Sequence, residues 1–487
     1  MMGKEISAAF LDDKMLTLAD VLEALTGLRP SRGVESIPSA VIDSRQADRG
    51  SLFIALPGEK SDGHDYVADA FERGASLALI QKDISTDFPV FDLRKKVDTA
   101  CLSSLTLPCC LRVDDSLAAL QKTARFWRRK LTPRVIGVTG SVGKSTTKEL
   151  IADVLSQRYT TLKNPGNLNN EIGLPLTLLG LNETHERVVL EMGFYVPGEI
   201  RFLCDIALPQ VGVITNIGTV HAERAGSIEA IARGKAELVE SLPAAPEGVA
   251  ILNLDDPRVQ PMSSLTQARI FYYGLDSQAD LWADGIEGLG LDGIRLRLHF
   301  RKETIHLRAP LLGRHSAHTI LRAAAVGLVE GLTWQEIVDG LRSEHTQLRL
   351  VTVRTSNGAL ILDDTYNASP ESTIAALNLL DELEGRKIAI LGDMLELGQY
   401  ERRGHLMVGA RAAEVVDELI TIGERAKIIA QAARQAGLGP EKVTEFEDAL
   451  EAIPLISHRL TSQDIVLIKG SHGMRLDRIV SALEESA

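Results

Sequence analysis

The stretch Arg134-Val-Ile-Gly-Val-Thr-Gly-Ser-Val-Gly-Lys-Ser-Thr146 decides the fold. Arg134 to Val138 is a short apolar run of strand type; a glycine-rich turn leaves it, and a helix begins with Lys144, Ser145 and Thr146. Such a turn offers successive backbone N–H groups and a helix N-terminus to an anion, which suits a polyphosphate. Lys144 suits neutralisation of β and γ oxygens, and Ser145 suits ligation of Mg²⁺. Thr139, Gly140, Ser141, Val142, Gly143, Lys144, Ser145 and Thr146 are therefore the candidate nucleotide-binding residues, for ATP or GTP. The stretch departs from the strict phosphate-loop pattern at one point, because Val138 stands five residues before Gly143 where a glycine is expected.

Outward from the loop, strand-like runs (RVIGVTG, RVVLEMG, VGVITNIG, GVAILNLDD) alternate with helical patterns between Arg134 and about Arg342. That alternation predicts a mostly parallel sheet covered by helices. It ends in alternating strands (IRLRLHF, TIHLRAP), a helix over about His315 to Glu330, and a second helix opened by Thr333 with Glu336 in capping-box spacing. Upstream, AVID, SLFIAL and SLALIQ between Ala40 and Lys82, with an amphipathic helix over Tyr66 to Gly74, predict a small α/β domain. Asp83 to Pro108 lacks clear periodicity and reads as a linker or insertion, after which Asp114 or Asp115 caps a helix to about Arg129. Downstream, a hairpin pattern (VTVRT, SNG, ALILDD) precedes KIAILGDM, ELITIG and DIVLIKGS, each followed by a periodic helix. The expected fold class is α/β with three domains: a small N-terminal α/β domain at 1–112, a central P-loop ATPase at 113–346, and a Rossmann-like doubly wound domain at 347–487.

Composition agrees. A chain of 487 residues is about three times a domain of roughly 150 residues, so several cores are expected. Its 53 Lys and Arg against 66 Asp and Glu leave a net charge of -13, which excludes a broad surface for nucleic acid or anionic membrane and requires a local site for any anionic ligand. Cys101, Cys109, Cys110 and Cys204 lack the spacing of a disulfide scaffold or zinc ribbon and read as structural thiols of a reducing compartment. No run approaches the ~18 apolar residues of a spanning helix, and Met1 to Met15 has no apolar core of a secretory signal, so a cytoplasmic protein without membrane insertion is expected.

Two further residues fall at strand ends that a parallel sheet brings to the loop's edge: Glu191 after RVVL and His221 after VGVITNIG. A carboxylate and an imidazole there suit metal ions beside phosphates, although a strand-end Glu also serves as a cap and a lone His also serves structurally. The run from Asn164 to Pro175 carries four Asn and two Gly, suited either to a ligand or to an Asn-rich turn.

Taken in order, the motifs resemble the Mur ligase family of peptidoglycan synthesis, in particular its branch that adds D-alanyl-D-alanine. They are DSR at Asp43 to Arg45, DGHDYV from Asp62, TGSVGKSTTKE at the loop, GNLNNEIGLPLTLL from Gly166, EMG at Glu191 and TNIGTVHAE through His221. DDTYNASPES from Asp363, LGDMLELG from Leu391 and KGSHGMR from Lys469 complete the set, which spans nearly the whole chain.

The resemblance implies an ATP- and Mg²⁺-dependent ligase. It would activate the terminal carboxylate of UDP-N-acetylmuramoyl-tripeptide as an acyl phosphate, which D-Ala-D-Ala attacks; a monomer acting on small molecules is implied. Carried over residue by residue, Lys144, His221 and Lys235 would be catalytic. Ser145, Glu191, His221 and Lys235 as a carbamate would serve the metals. Arg349, Asp364 and Asn367 would join the loop residues at the nucleotide, and Ser44, Arg45, Asn167, Asn170 and Tyr366 would meet substrate. The chain departs from the family at Ser316 and Thr319, where relatives carry Asn, and at Leu348 before Arg349. Two rivals are a ligase of this fold adding a single amino acid, to a dipeptide precursor or a folate-type acceptor, and a nucleotide switch. The DSR and DDTYNASP motifs favour the first reading over the former, and a switch has no need of Glu191, His221 and Lys235 together.

Overall fold

Short apolar strands joined by helices produce mostly parallel sheets in the computed structural model, which describes residues 15–58, 61–343, 351–355 and 357–485. Arg349 lies outside the described residues. Two compact units result: one from Met1–Val135, Tyr159–Met192 and Phe202–Leu208, the other from Ile136–Arg158, Gly193–Arg201 and Pro209–Ala487.

In the first unit a five-stranded parallel sheet takes the order Ala40–Val41, Leu52–Ile54, Leu77–Ile80, Cys109–Arg112, Val90–Asp92. The region read as a linker, Asp83 to Pro108, therefore supplies an edge strand, and Asp98 caps a short helix Thr99–Ser103 within it. A three-residue edge strand has no room for a period, which is why the pattern hid it. Asp115 caps the helix Ser116–Lys130 by accepting from the Ala118 N–H at 2.9 Å. Its Trp127 is buried and donates to the Leu181 carbonyl, while buried Arg128 donates to the carbonyls of Leu131, Pro133 and Ala207. The same unit pairs Thr161–Lys163 in parallel with Arg187–Glu191. Cys109, Cys110 and Cys204 are buried, and burial pushes the Cys109 and Cys110 thiols up to about 12 and about 11, which leaves them inert. Cys101 differs from the expectation of a structural thiol and is exposed.

In the second unit the strand order is Glu303–Ala309, Ile294–Phe300, Leu281–Gly288, Arg269–Gly274, Val249–Asn253, Val211–Ile214, then the strand ending in Ile136–Thr139. Pairing is parallel from the last of these to Leu281–Gly288 and antiparallel in the terminal hairpin. The helix Lys144–Leu155 packs against Ser316–Val329 and Trp334–Leu341. The predicted capping box of Thr333 and Glu336 is formed. A six-stranded sheet follows, ordered Val351–Arg354, Leu360–Asp364, Asp464–Lys469, Arg386–Gly392, Glu418–Ile422, Val443–Phe446, with only the first strand antiparallel. Alternate strand residues feed two cores: Leu362, Leu391, Leu419 and Leu467 on one face, Ile361, Ile390, Ile420 and Val466 on the other. That is the doubly wound arrangement expected, with both faces covered.

Gly340 lets the helix Trp334–Leu341 approach the phosphate-loop helix so closely that a Cβ there would stand 2.5 Å from the Val154 Cα. Gly340→Ala is expected to lower stability by about 1–3 kcal/mol, seen as a reduced denaturation midpoint, because backbone rather than a movable side chain must yield.

Candidate active site

The glycine-rich loop leaves its strand at Thr139 and is lashed to the segment that follows the neighbouring strand Val211–Ile214. Ser141 N–H donates to the Asn216 carbonyl at 2.9 Å and Val142 N–H to Asn216 Oδ1 at 3.0 Å. Thr215 Oγ1 returns a bond to the Val142 carbonyl at 2.7 Å, and Gly218 N–H donates to Ser141 Oγ at 2.8 Å. Gly140 adopts φ 149°, and a Cβ on it would fall 1.8 Å from Thr215 Oγ1. Gly143, at φ 80°, starts the helix Lys144–Leu155. Only glycine meets both conditions at position 140, whereas Val138 lies within the strand and needs no such freedom. This accounts for the departure from the strict loop pattern.

Two lysines converge on the Gly140 carbonyl. Lys144 Nζ reaches it at 2.9 Å and the Ser141 carbonyl at 3.2 Å; Lys235 Nζ, on the helix Ile228–Glu240, reaches it at 2.8 Å. Lys235 is 1% exposed, with its ammonium 4.8 Å from the Phe194 ring centre. Gly234 is what admits that ring, since a Cβ there would stand 2.0 Å from it.

His221 has φ 64°, and its Nδ1 lies 2.7 Å from Glu396 Oε2. The carboxylate accepts, so Nδ1 carries the proton and Nε2 keeps its lone pair. Burial, reinforced by the positive charge of Lys144, pushes the imidazole down to about 4, so the ring is neutral at pH 7. Tyr195 packs edge-on against the ring at 4.9 Å.

A cavity of about 180 Å³ opens on the loop from Ser141 to Thr146, and Ser316, Thr319, Asp364, Asn367 and Lys469 also line it. Lys469 is buried and donates to Asp364 Oδ2 at 2.7 Å and to the Asn367 carbonyl at 2.8 Å. The structure thus brings Asp364 and Asn367 to the cavity that the phosphate loop faces. Tyr366 is half exposed, 6.4 Å from the His472 ring.

In the first unit, Glu191 ends its strand buried. Its N–H donates to Asn164 Oδ1 at 2.9 Å, Asn164 Nδ2 returns to its carbonyl at 3.1 Å, and Asn169 Nδ2 reaches its Oε1 at 2.8 Å. Asn170, expected at substrate, uses its Oδ1 on the N–H groups of Ile172 and Gly173 at the start of a helix, while Asn167 is exposed. Ser44 is buried, and exposed Arg45 forks onto Asp43.

Sequence reasoning missed Asn164 and Asn169 as holders of Glu191, Asn216 as the loop's strap, Glu396 as the partner of His221, and Lys469 as a cavity residue. All five stand inside motifs quoted for the resemblance or the Asn-rich run, so the signal was present without a role attached.

Three family models match the chain: "Mur ligase family, catalytic domain" over residues 37–105, "Mur ligase middle domain" over 138–327, and "Mur ligase, glutamate ligase domain" over 348–472. The UDP-N-acetylmuramoyl-tripeptide--D-alanyl-D-alanine ligase of Bacillus subtilis (strain 168) is 34% identical over 96% of this chain and 98% of its own. That of Synechocystis sp. (strain ATCC 27184 / PCC 6803 / Kazusa) is 38% identical over 91% and 90%. The chain belongs to the Mur ligase family. The crystal structure of MurF ligase from Thermotoga maritima in complex with ADP superposes on this Mur ligase with a TM-score of 0.76 and 26% identity, covering 95% of this chain and 98% of that one.

For this Mur ligase, Asn216→Ala removes the acceptor that fixes the Val142 N–H while leaving the strand core untouched. Calorimetry with ADP is expected to show affinity reduced at least about tenfold with a melting temperature close to wild type.

Proposed function

We propose that this chain joins D-alanyl-D-alanine to a UDP-N-acetylmuramoyl-tripeptide at the cost of ATP. The observation that carries the reading is the strapped phosphate loop opening on a cavity it shares with Asp364, Asn367 and Lys469, in a chain that covers nearly all of ligases bearing that name.

The chemistry follows from the groups present. A carboxylate resists attack by an amine in water, so its oxygen first takes the γ-phosphoryl group of ATP, giving an acyl phosphate and ADP. The dipeptide's amine then adds to the acyl carbon, and the tetrahedral adduct expels phosphate as the amide forms. The loop's N–H groups and the N-terminus of helix Lys144–Leu155 hold the phosphates, and Lys144 exchanges its loop carbonyls for γ-phosphate oxygens. Asp364 and Asn367, carried by the second sheet, join the nucleotide side of the cavity. We assign Arg349 to the phosphates as well. Ser44, Arg45, Asn167, Asn170 and Tyr366 are assigned to the substrates.

Ser145, Glu191, His221 and Lys235, the last as a carbamate, would hold Mg²⁺. Among the described residues no group of three His, Cys, Asp or Glu side chains forms a ready metal site. Such sparse donors fit Mg²⁺, which keeps waters and takes phosphate oxygens, and the neutral His221 ring fits ligation through Nε2. When bound, the ion supplies screening of the repulsion between phosphate and carboxylate. Carbamoylation would convert the buried Lys235 amine into an anionic oxygen donor by addition to CO₂ with loss of a proton.

The division of labour places the precursor on 1–112, ATP on 113–346, and a closing domain at 347–487. A cytoplasmic monomer completes the reading, and no helix among the described residues is long and apolar enough to cross a membrane.

Phosphate release from ATP with Mg²⁺ and the uridine-linked tripeptide is expected to rise on addition of D-Ala-D-Ala, with a pentapeptide product by mass spectrometry. Preference for a single amino acid, or release indifferent to any amine, would sink the assignment. Lys144→Ala is expected to abolish ligation. Lys235→Ala is expected to do the same, with partial rescue by a short carboxylic acid; full activity without the additive would remove the carbamate.

A further inference from the structure

Arg322 stands in the middle of the helix Ser316–Val329, on the side that packs against the phosphate-loop helix, and is 3% exposed. Its Nη2 donates to Thr319 Oγ1 at 2.8 Å, and its buried Nε has no partner. The guanidinium carbon lies 6.0 Å from the Tyr273 ring centre, and no carboxylate pairs with it among the described residues. A Cβ built on Gly143 would stand 3.3 Å from Nη2, so the charge sits directly behind the residue that opens the helix Lys144–Leu155.

Energetically this is a poor place for a cation. Burial without a counter-charge costs stability, and arginine does not escape by losing its proton at neutral pH. The position is also the positive end of a helix, with Lys144 as the next residue and Lys235 on the Gly140 carbonyl. The desolvation cost stays, but the repulsion among these positive groups is offset when a polyanion fills the loop. Fields between fixed charges are strong through such a poorly screened wall.

We propose that Arg322 is a positioning residue for the nucleotide's phosphates: a fixed cation behind the loop that raises polyphosphate affinity without touching the ligand, while its bond to Thr319 sets one side chain of the cavity wall. The inference rests on the nucleotide reading above.

The test uses the full chain, with thermal melts and calorimetry against ADP and against adenosine. Arg322→Met removes the charge at similar volume, Arg322→Gln removes it while retaining a donor for Thr319, and Arg322→Lys keeps it. Both neutral variants are expected to bind ADP about tenfold more weakly with adenosine affinity unchanged, and to melt without ligand at or above the wild-type temperature. The lysine variant is expected within about threefold of wild type for ADP. ADP affinity within twofold of wild type in Arg322→Gln would overturn the proposal, as would equal losses for ADP and adenosine. Should Arg322→Met fail to fold, the glutamine variant carries the comparison. Wild-type protein indifferent to ADP would overturn the nucleotide reading and this inference with it.

Discussion

The contact between Gly140 and Thr215 is the constraint on which the site depends. A hydroxyl occupies the place where any other residue would put its Cβ, so loop and neighbouring segment can approach only if residue 140 has none. That closeness aligns the Val142 N–H and carbonyl with Asn216 and Thr215, and it turns the Gly140 carbonyl toward two lysines. The loop is held by bonds to its neighbour, because backbone groups in the turn have no ladder to join.

The support extends across the sheet. Asn253, at the end of the next strand, donates to the Thr215 carbonyl, and the buried Tyr273 hydroxyl reaches the carbonyls of Ile214 and Thr215. Asp256 accepts from the Ile217 N–H. These polar groups stand at or near the carboxyl ends of parallel strands, where the ladder stops and side chains must satisfy the backbone groups left over. The result concentrates Lys144, Lys235, Lys469 and Arg322 in a chain whose net charge is -13. Positive charge is thus gathered at and behind the phosphate loop of a chain that is acidic as a whole, which favours a small anion at that place.

What was legible in the sequence is what local chemistry decides. The loop, the capping Asp115, the Thr333 and Glu336 box and the hairpin before Asp363 are written within a few residues of themselves. The edge strand Val90–Asp92 was not legible, because three half-exposed residues have no periodicity and owe their conformation to pairing with Cys109–Arg112. The roles within the Asn-rich run were equally hidden. Four amides of the same kind lie within seven positions, and which of them grips Glu191, which takes the N–H groups before a helix and which faces solvent depends on a strand-end residue more than twenty positions away. Nothing in the sequence singles out Arg322, because its burial follows from the loop glycine packed against its side chain, a contact between segments far apart in the chain.

His221 and Glu396 link the six-stranded sheet to the neighbourhood of the phosphate loop. They stand 175 residues apart, and both adopt left-handed backbone, at φ 64° and φ 63°. Histidine takes this conformation more readily than most side chains, but glutamate does not, so Glu396 in particular costs free energy that its surroundings must offset. The contacts that offset it involve both segments. The Glu396 carbonyl accepts from the Glu223 N–H, its carboxylate takes the His221 ring, and Gly398, also left-handed, clears the backbone of Glu223. The two residues therefore brace each other, and the brace determines which imidazole nitrogen keeps its proton. Because the carboxylate comes from the loop after Arg386–Gly392, the tautomer of a histidine beside the phosphate loop depends on the seating of the second sheet. The proton position on a ring beside the phosphate loop is in this way coupled to the position of the segment that carries Glu396.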